Sequence, residues 1–517
     1  MTDSSTLSLD GHRDLRPAVE FDPLQANFGS SSDAWRPSMS DANDILSNFD
    51  PIEDVASVEL GDARRNERYK LIVEAAIHRP DRSIPETFEE EAGLEGYYRF
   101  IRSPHVDDMA LLMPHFEATA ERAAKLGHVL CLHDTTEFSF PVRDDELREH
   151  LARPSTNRQG FHWHASLVTS ADGLRAPMGL VEARAFVHSA DLVDEDSQTY
   201  WADRGGIFEN EKWRWYQSIE AAELRLQEAE SVTHVMDREF DDFQMLHCLN
   251  VDGYDFVARL RHNRSVSTGP LRKDFTSLQE VLAGKVWQGK RTVELSPRSA
   301  AEASPGHPVR RKRQATLRLR SARVKLRRPN TVTAGSAPDT VTVNVVEVRE
   351  INTPTGEEPV HWMLLTSHPV DTKKQMWAVV DYYRARWTIE EYFKAIKTGC
   401  SYKKLQHRSA KTLLCALSAT AVVAHHLLTL RHFGRHAPDL PALAVVTKLQ
   451  IMVLQATKAE YLSTNPTAGE VMAAVASLGG HIRSNGPPGW QVLSRGWQRL
   501  LEYEHGFALG LKAQDKM

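Results

Sequence analysis

A chain of 517 residues with 63 basic and 69 acidic side chains is longer than one hydrophobic core usually supports, so two or three domains are expected. Its 41% hydrophobic and 26% charged residues exclude both a disordered and a membrane-embedded chain. The net charge of −6 argues weakly against nucleic-acid binding, but a mean conceals local segregation.

Residues 1–54 are rich in Ser, Asp and Pro with little periodicity and are expected to be a flexible extension. They hold no apolar stretch of signal-peptide length, which predicts a cytoplasmic protein. Over 55–127, the segments Leu60 to Arg79, Leu94 to Arg102 and Asp107 to Leu126 predict a compact helical module. Arg64, Arg65 and Arg68 cluster at the start of the first helix, with Arg99 and Arg102 on the second. That spacing places Arg65 beside Arg68 and Arg99 beside Arg102, as groove or phosphate contact needs, although ordinary surface charge would look the same.

The texture changes at His128. Val129 to Leu132 reads as a buried strand that delivers Asp134, and Thr233 to Met236 as a strand ending on Asp237. Between them lie strand-like stretches at Phe161 to Thr169 and Leu174 to Val187 and a helix at Glu211 to Ser231. A helix near Phe240 to Leu249 and a strand at Phe256 to Leu260 complete a mixed α/β pattern across 128–405, with both aspartates at strand ends, where open sheets place their sites. From about 276 to 369 the alternation predicts a β insertion, including Ala315 to Leu326 and Thr340 to Val348. Between Glu302 and Asp339 no acid intervenes, while Arg310, Arg311, Lys312, Arg313, Arg318, Arg320, Arg323, Lys325, Arg327 and Arg328 concentrate positive charge. Such a field suits a phosphate backbone, the alternative being a solvated strand face.

Lys373 to Lys397 predicts a long amphipathic helix, and residues 406–517 read as mostly helical. The longest apolar run, Leu413 to Ala424, falls short of the ~20 residues that a bilayer span needs, so a buried helix and no membrane segment are expected. Near the end, Trp490, Leu493, Trp497, Leu500, Leu501 and Phe507 share helical spacing that suits either core packing or an intermolecular face. Cys131, Cys248, Cys400 and Cys415 lack Cys-x-x-Cys spacing and are read as reduced fillers, neither disulfides nor a zinc cluster. His162 and His164, in a strand-like segment, are read as packed or solvent-facing side chains.

On the long helix, Tyr383, Arg386, Glu390, Lys394 and Lys397 recur every three or four residues and share one face, an arc of roughly 80° at 3.6 residues per turn. One carboxylate among several cations suits a metal beside a phosphodiester. Exposed pairs such as Glu390 with Lys394, each contributing about 0.3–0.5 kcal/mol, would give the same spacing.

The strings His133-Asp134-Thr135-Thr136, Asp237-Arg238-Glu239 and Tyr383-Arg-Ala-Arg386-Trp-Thr-Ile-Glu390 resemble the bacterial DDE transposases of the insertion-sequence-four type. That group's signature, Tyr-x2-Arg-x3-Glu-x6-Lys, is met by Tyr383, Arg386, Glu390 and Lys397. The likeness extends through Leu60 to Arg65, Tyr98 to Arg102, Trp362 to Thr366 and Gly489-Trp490, covering most of residues 55–510.

The resemblance implies an α/β fold: an RNase H-like catalytic core with a β insertion before the last acid, an N-terminal helical DNA-binding domain and a C-terminal helical dimerisation domain. Asp134, Asp237 and Glu390 would hold two divalent ions, Mg²⁺ or Mn²⁺, which prefer such hard oxygen ligands. Double-stranded DNA, at the transposon ends and the target, would be the partner, with a homodimer in the synaptic complex. Cleavage by water, hairpin formation, reopening and strand transfer would follow as in-line phosphoryl transfers. Tyr383, Arg386, Lys394, Lys397 and Arg259 would grip phosphates, and Trp362 would stack on a flipped base, although from its sequence context alone it reads as a packed strand residue. Arg64, Arg65, Arg68, Arg99 and Arg102 would contact the end sequence. An RNase H-like nuclease without strand transfer, and a DNA-binding regulator derived from a transposase, stand as the alternative functions.

Overall fold

The computed structural model describes residues 50–514 apart from 89, 143–145, 208–210, 270–274, 296–308 and 334. The expected flexible extension therefore lies, up to residue 49, outside the described residues, as does the start of the acid-free segment at 302–308.

The described chain is anchored early, because Asp54 is already buried. Its carboxylate accepts hydrogen bonds from Arg122 Nη1 at 2.5 Å, from Arg122 Nη2 at 3.1 Å and from His115 Nδ1 at 2.7 Å. Burial alone would raise the Asp54 pKa, but the hydrogen bonds and charges of His115 and Arg122 hold it well below the usual carboxylate range. Among the described residues three longer helices follow, α1 (Ala63–His78), α2 (Glu91–Arg102) and α3 (Asp108–Ala124), with one short turn of helix over Ile84–Thr87 between the first two. Asp62 and Asp107 cap the first and third by accepting backbone N–H bonds, which satisfies donors that a helix start leaves orphaned.

Twelve strands form one sheet: β1 (Val129–Pro141), β2 (Ala152–Ser155), β3 (Arg158–Ser170), β4 (Pro177–Phe186), β5 (Val232–Met236), β6 (Asp255–Arg259), β7 (Ser265–Ser267), β8 (Thr276–Ser277), β9 (Gln288–Leu295), β10 (Arg313–Arg327), β11 (Thr340–Ile351) and β12 (His361–Thr366). The main path runs β2-β3-β1-β5-β6-β12-β11-β10-β7-β8, with β4 on β3 and β9 on β10. β1, β5 and β6 are mutually parallel, and β3, β4 and β12 run antiparallel to their neighbours. The middle residues of β5 and β6 are buried on both faces, as parallel strands covered on both sides are.

The expected β insertion is present, but as an extension of the core sheet. β12 pairs with β6, and β11, β10 and β9 continue from it. The alternating pattern also contains a short helix, α7 (Leu278–Ala283), and β7 joins the extension upstream of residue 276. The run of cations on β10 is partly neutralised across the sheet. Arg320 Nε donates to Glu347 at 2.5 Å, Arg313 Nη2 to Glu350 at 3.1 Å and Arg328 Nη2 to Asp339 at 3.1 Å. The guanidinium carbons of Arg318 and Arg320 each lie 4.2 Å from the ring centroid of Trp287. The exposed cations left on this strand pair are fewer than the sequence suggests.

Helices α4 (Glu195–Asp203), α5 (Glu211–Arg225) and α6 (Phe243–Asp252) follow β4 and β5, with α3 and α5 packed on β3 and β4. The predicted long helix is realised as α8 (Lys373–Ala385) and α9 (Trp387–Lys394), joined by a tighter turn at Arg386, whose backbone stays helical, and closed by a π turn over Ala395–Gly399. Val379 of α8 joins Leu132 and Val235 in one apolar cluster, whereas Ala222 of α5 joins Cys131 in another, so the two helices cover opposite faces of the sheet. Four helices complete the fold: α10 (Ala410–His436), α11 (Lys448–Lys458), α12 (Ala468–Leu478) and α13 (Trp490–Gln514). By length and composition α10 could cross a membrane, yet 89% of its most apolar window is buried inside the protein. It is the central core helix, consistent with the reading of Leu413 to Ala424. One apolar core joins the N-terminal helices, one sheet face and the C-terminal helices, including Tyr69, Leu132, Val379 and Leu427. Trp490, Leu493, Trp497, Leu500 and Leu501 belong to this core, which leaves Phe507 and the tip beyond it as the exposed apolar part of α13. α12 and α13 cross at van der Waals limit, since a Cβ on Gly496 would lie 1.8 Å from the Val475 carbonyl oxygen.

Candidate active site

The parallel pairing of β1 with β5 sets the site. Leu132 lies opposite Val235, so two residues further along each strand come Asp134 and Asp237. Side chains alternate along a strand, so both aspartates share the face of Leu132 and Val235. Asp237 ends its strand and caps the following 3₁₀ turn, Oδ1 accepting Glu239 N–H at 2.7 Å. Asp134 Oδ1 accepts Thr135 N–H at 2.9 Å. Arg259 sits one residue beyond the Met236–Ala258 pair of β5 and β6, beside Asp237 in register.

The third acid arrives on α9. Arg386, at the junction of α8 and α9, donates from Nη1 to Asp134 Oδ2 at 3.1 Å and from Nη2 to Glu390 Oε1. Burial would lower the guanidinium pKa, but Glu390, Asp134, Tyr383 and Asp237 raise it well above its usual value. It is therefore a permanent cation on which Asp134 and Glu390 meet, with Asp237 near enough to add to its field. The structure thus brings Asp134, Asp237 and Glu390 together with Arg386.

The remaining residues of the helix face divide. Lys397, on the π turn, donates to Thr136 Oγ1 and lies over the Phe138 ring. Burial first, then repulsion from Lys403, brings its pKa down to about 8. Lys394 bonds Glu391 Oε1 at 2.9 Å and lies 4.5 Å from the Trp387 ring centroid, so the pairing with Glu390 entertained from spacing is replaced by the next acid along. Glu391 is held in turn by Arg431 of α10. Tyr383 is buried with its ring edge-on to Trp362 at 5.2 Å. Trp362 is 2% exposed on β12, a packed strand residue whose faces are closed to a base in this conformation. Thr136 had no role assigned from sequence; only its place two residues after Asp134 on the same strand face could have marked it.

On the N-terminal helices the arginines also separate. Arg64, Arg99 and Arg102 are exposed. Arg65 donates to the Leu60 carbonyl at 2.6 Å and reaches the His105 carbonyl at 3.5 Å. Arg68 packs on Gly96 of α2, where a Cβ would lie 2.8 Å from its Nη1. The first three present charge to solvent, and the other two fasten the helices together.

His162 stacks against Phe186, with centroids 5.0 Å apart, and His164 is buried with Nδ1 2.8 Å from Thr135 Oγ1, both as packed side chains.

Two family models match the chain. The one described as transposase DNA-binding matches residues 52–106, which include all five arginines. The one described as a transposase DDE domain matches residues 215–424, which include Asp237, Arg386, Glu390 and Lys397 while Asp134 precedes the matched residues. A DDE domain implies a metal-dependent nuclease or transposase enzyme, and the first domain implies a DNA partner. Together with the carboxylates gathered on Arg386, the two matches support a DDE transposase, a DNA-binding domain followed by a DDE domain on one chain.

Proposed function

We propose that the chain is a cut-and-paste DNA transposase of the insertion-sequence-four type, built on an RNase H-like core and working as a homodimer on paired transposon ends. The observation that carries the reading is the arrival of Asp134 and Asp237 in register on one face of two parallel strands, with Glu390 joined to Asp134 through Arg386. The core strand order β4-β3-β1-β5-β6, with β3 antiparallel to β1, supports the RNase H-like assignment.

Three carboxylates are hard oxygen donors of the kind Mg²⁺ and Mn²⁺ take. Arg386 offsets the charge of two of them, Asp134 and Glu390, through ion pairs. Asp134, Asp237 and Glu390 would hold two divalent ions, which when bound supply Lewis acidity to the attacking and leaving oxygens. The chain's own part is positioning. Lys397 and Arg259 flank the aspartates with positive charge, and Arg386, once its carboxylates are otherwise engaged, offers a planar fork that matches phosphate oxygens. Such fixed cations orient a scissile phosphodiester for in-line attack. Arg64, Arg99 and Arg102 supply the end-binding surface, and the exposed tip of α13 a contact for a second copy.

One observation favours a second reading. Because Trp362 is packed against Tyr383, the base-flipping support for a hairpin step requires a rearrangement of β12, whereas cleavage alone does not. The test is incubation of purified protein with Mg²⁺ and DNA carrying its native flanking ends, beside an Asp237→Ala control. Hairpin-ended or transferred products lost in the control support the transposase, nicks without joining the nuclease, and binding alone a regulator.

A further inference from the structure

Behind the carboxylates, on the other face of the same two strands, lies a second cluster of donor groups. Cys131 and His133 alternate with Leu132 and Asp134 along β1, and Cys131 stands directly opposite His234 of β5. One donor atom from each of Cys131, His133 and His234 lies within 4.8 Å of the other two, and all three residues are buried. The imidazoles are aimed at each other, His133 Nε2 lying 2.8 Å from His234 Nδ1. Their outer nitrogens are held as well, His133 Nδ1 at 2.8 Å from Ser166 Oγ and His234 Nε2 at 2.7 Å from Glu223 Oε1.

We infer that Cys131, His133 and His234 form a second metal site, selective for a zinc-class ion, that ties β1 to β5 beneath the catalytic face. A thiolate and two imidazoles are the soft and borderline donors that zinc prefers and Mg²⁺ does not, so the two faces sort different metals by ligand chemistry. The outer hydrogen bonds fit the same purpose. An imidazole that ligates through one nitrogen almost always gives its other N–H to a carboxylate, carbonyl or hydroxyl, and Glu223 and Ser166 stand at those places. Glu223 accepts, so His234 Nε2 carries the proton and Nδ1 presents a lone pair toward His133. In the arrangement seen, His133 Nε2–H fills that lone pair and Ser166 O–H donates to Nδ1. On binding, the His133 proton moves from Nε2 to Nδ1 and is donated to Ser166, and the Cys131 thiol loses its proton to solvent. Two nitrogens on one tetrahedral zinc stand about 3.3 Å apart, so the rings must separate by roughly 0.5 Å, a side-chain adjustment.

The test uses the full chain purified from zinc-supplemented cells, with metal content measured by mass spectrometry after gel filtration. Expected is one zinc per chain, retained in Cys248→Ser and in an Asp134→Asn/Asp237→Asn double variant and lost in Cys131→Ser. Refolded with Co²⁺ in place of zinc, wild type should show a thiolate-to-cobalt charge-transfer band that Cys131→Ser abolishes and Cys248→Ser keeps. A wild-type chain free of zinc that also shows no such band overturns the inference whatever the variants do, and leaves a hydrogen-bonded histidine pair. Zinc retained undiminished in Cys131→Ser, or lost with the two aspartates, overturns it equally. Neither outcome touches the transposase reading, whose readout is DNA products.

Discussion

Replacing Arg386 by methionine keeps most of the length of the side chain and removes the fork that joins Asp134 to Glu390. At 3.1 Å from Asp134 and an effective dielectric of about 20, that contact alone is worth about 5 kcal/mol before desolvation is counted. Breaking one side of a buried pair costs about 3–5 kcal/mol, because the carboxylates left behind lose their partner. The side chains of Asp134 and Glu390 are 15% and 13% exposed, so water recovers part of this and the low end, about 3 kcal/mol, is expected. The loss should depend on divalent ions. With EDTA present the Arg386→Met chain should unfold at clearly lower denaturant than wild type. With excess Mn²⁺ the deficit should shrink, since the wild-type chain must give up its Arg386 ion pairs to bind the ion and the variant need not, an ion at a hundred times its dissociation constant returning about 2.7 kcal/mol to a folded state that binds it. DNA cleavage should stay absent under both conditions, because the phosphate grip is gone. Equal stability of variant and wild type in EDTA, or equal gains from Mn²⁺ in both, refutes the assignment of Arg386 as a cation standing among metal-binding carboxylates.

Two further outcomes follow from the same geometry. Lys397, with Lys403, Glu137 and Asp134 as its charged neighbours, titrates at about 8, charged below that pH and neutral above it. DNA binding should therefore weaken as pH rises through about 8, and Lys397→Arg, whose guanidinium stays charged, should flatten the profile; parallel profiles in binding titrations would remove Lys397 from the phosphate contacts. On the N-terminal helices, Arg64→Ala with Arg99→Ala should reduce the salt dependence of end binding by about two phosphate contacts and leave unfolding unchanged. Arg65→Ala should instead cost about 1–3 kcal/mol of stability by orphaning the Leu60 carbonyl, and the reverse pattern would exchange their roles.

Much of this architecture could be read along the chain because its signals are local. The strand that stops at Asp237, three N-terminal helices and the amphipathic stretch into Glu390 depend on periodicity and caps within a few turns, whereas Asp134, expected at a strand end, lies inside β1, which its pairing with β3 carries on to Pro141. What escaped the sequence depends on partners far away in it. The basic strand looked like a nucleic-acid surface because its neutralising acids, Glu347 and Glu350, stand 27 and 37 positions further on and meet it only across β10 and β11. Arg65 and Arg68 looked equivalent to Arg64, since spacing alone does not tell which helix face turns toward Leu60 and Gly96. Cys131 was read as filler because its companions include His234, brought across by strand pairing from 103 positions away. The expected helix through Arg386 stands, since its backbone stays helical there, but the reach of its guanidinium to Asp134, 252 positions away, could not be read.

The two faces of β1 and β5 bind the candidate chemistry to the fold more tightly than either cluster does alone. Because side chains alternate with a period of two, a slip of β5 by one residue would carry Asp237 to the helix α5 face and His234 to the carboxylate face. Apolar burial resists that slip only weakly here, since Leu130, Leu132 and Val235 on one face and Val129, Cys131 and Val232 on the other are both apolar and buried against helices. A hydrophobic pattern this symmetric does not choose its register by itself. The His133–His234 contact does choose, because it forms only when Cys131 faces His234, and that same pairing is the one that sets Asp134 beside Asp237. The polar cluster behind the sheet therefore specifies the alignment on which the carboxylates in front depend, and an ion bound there would fix it further.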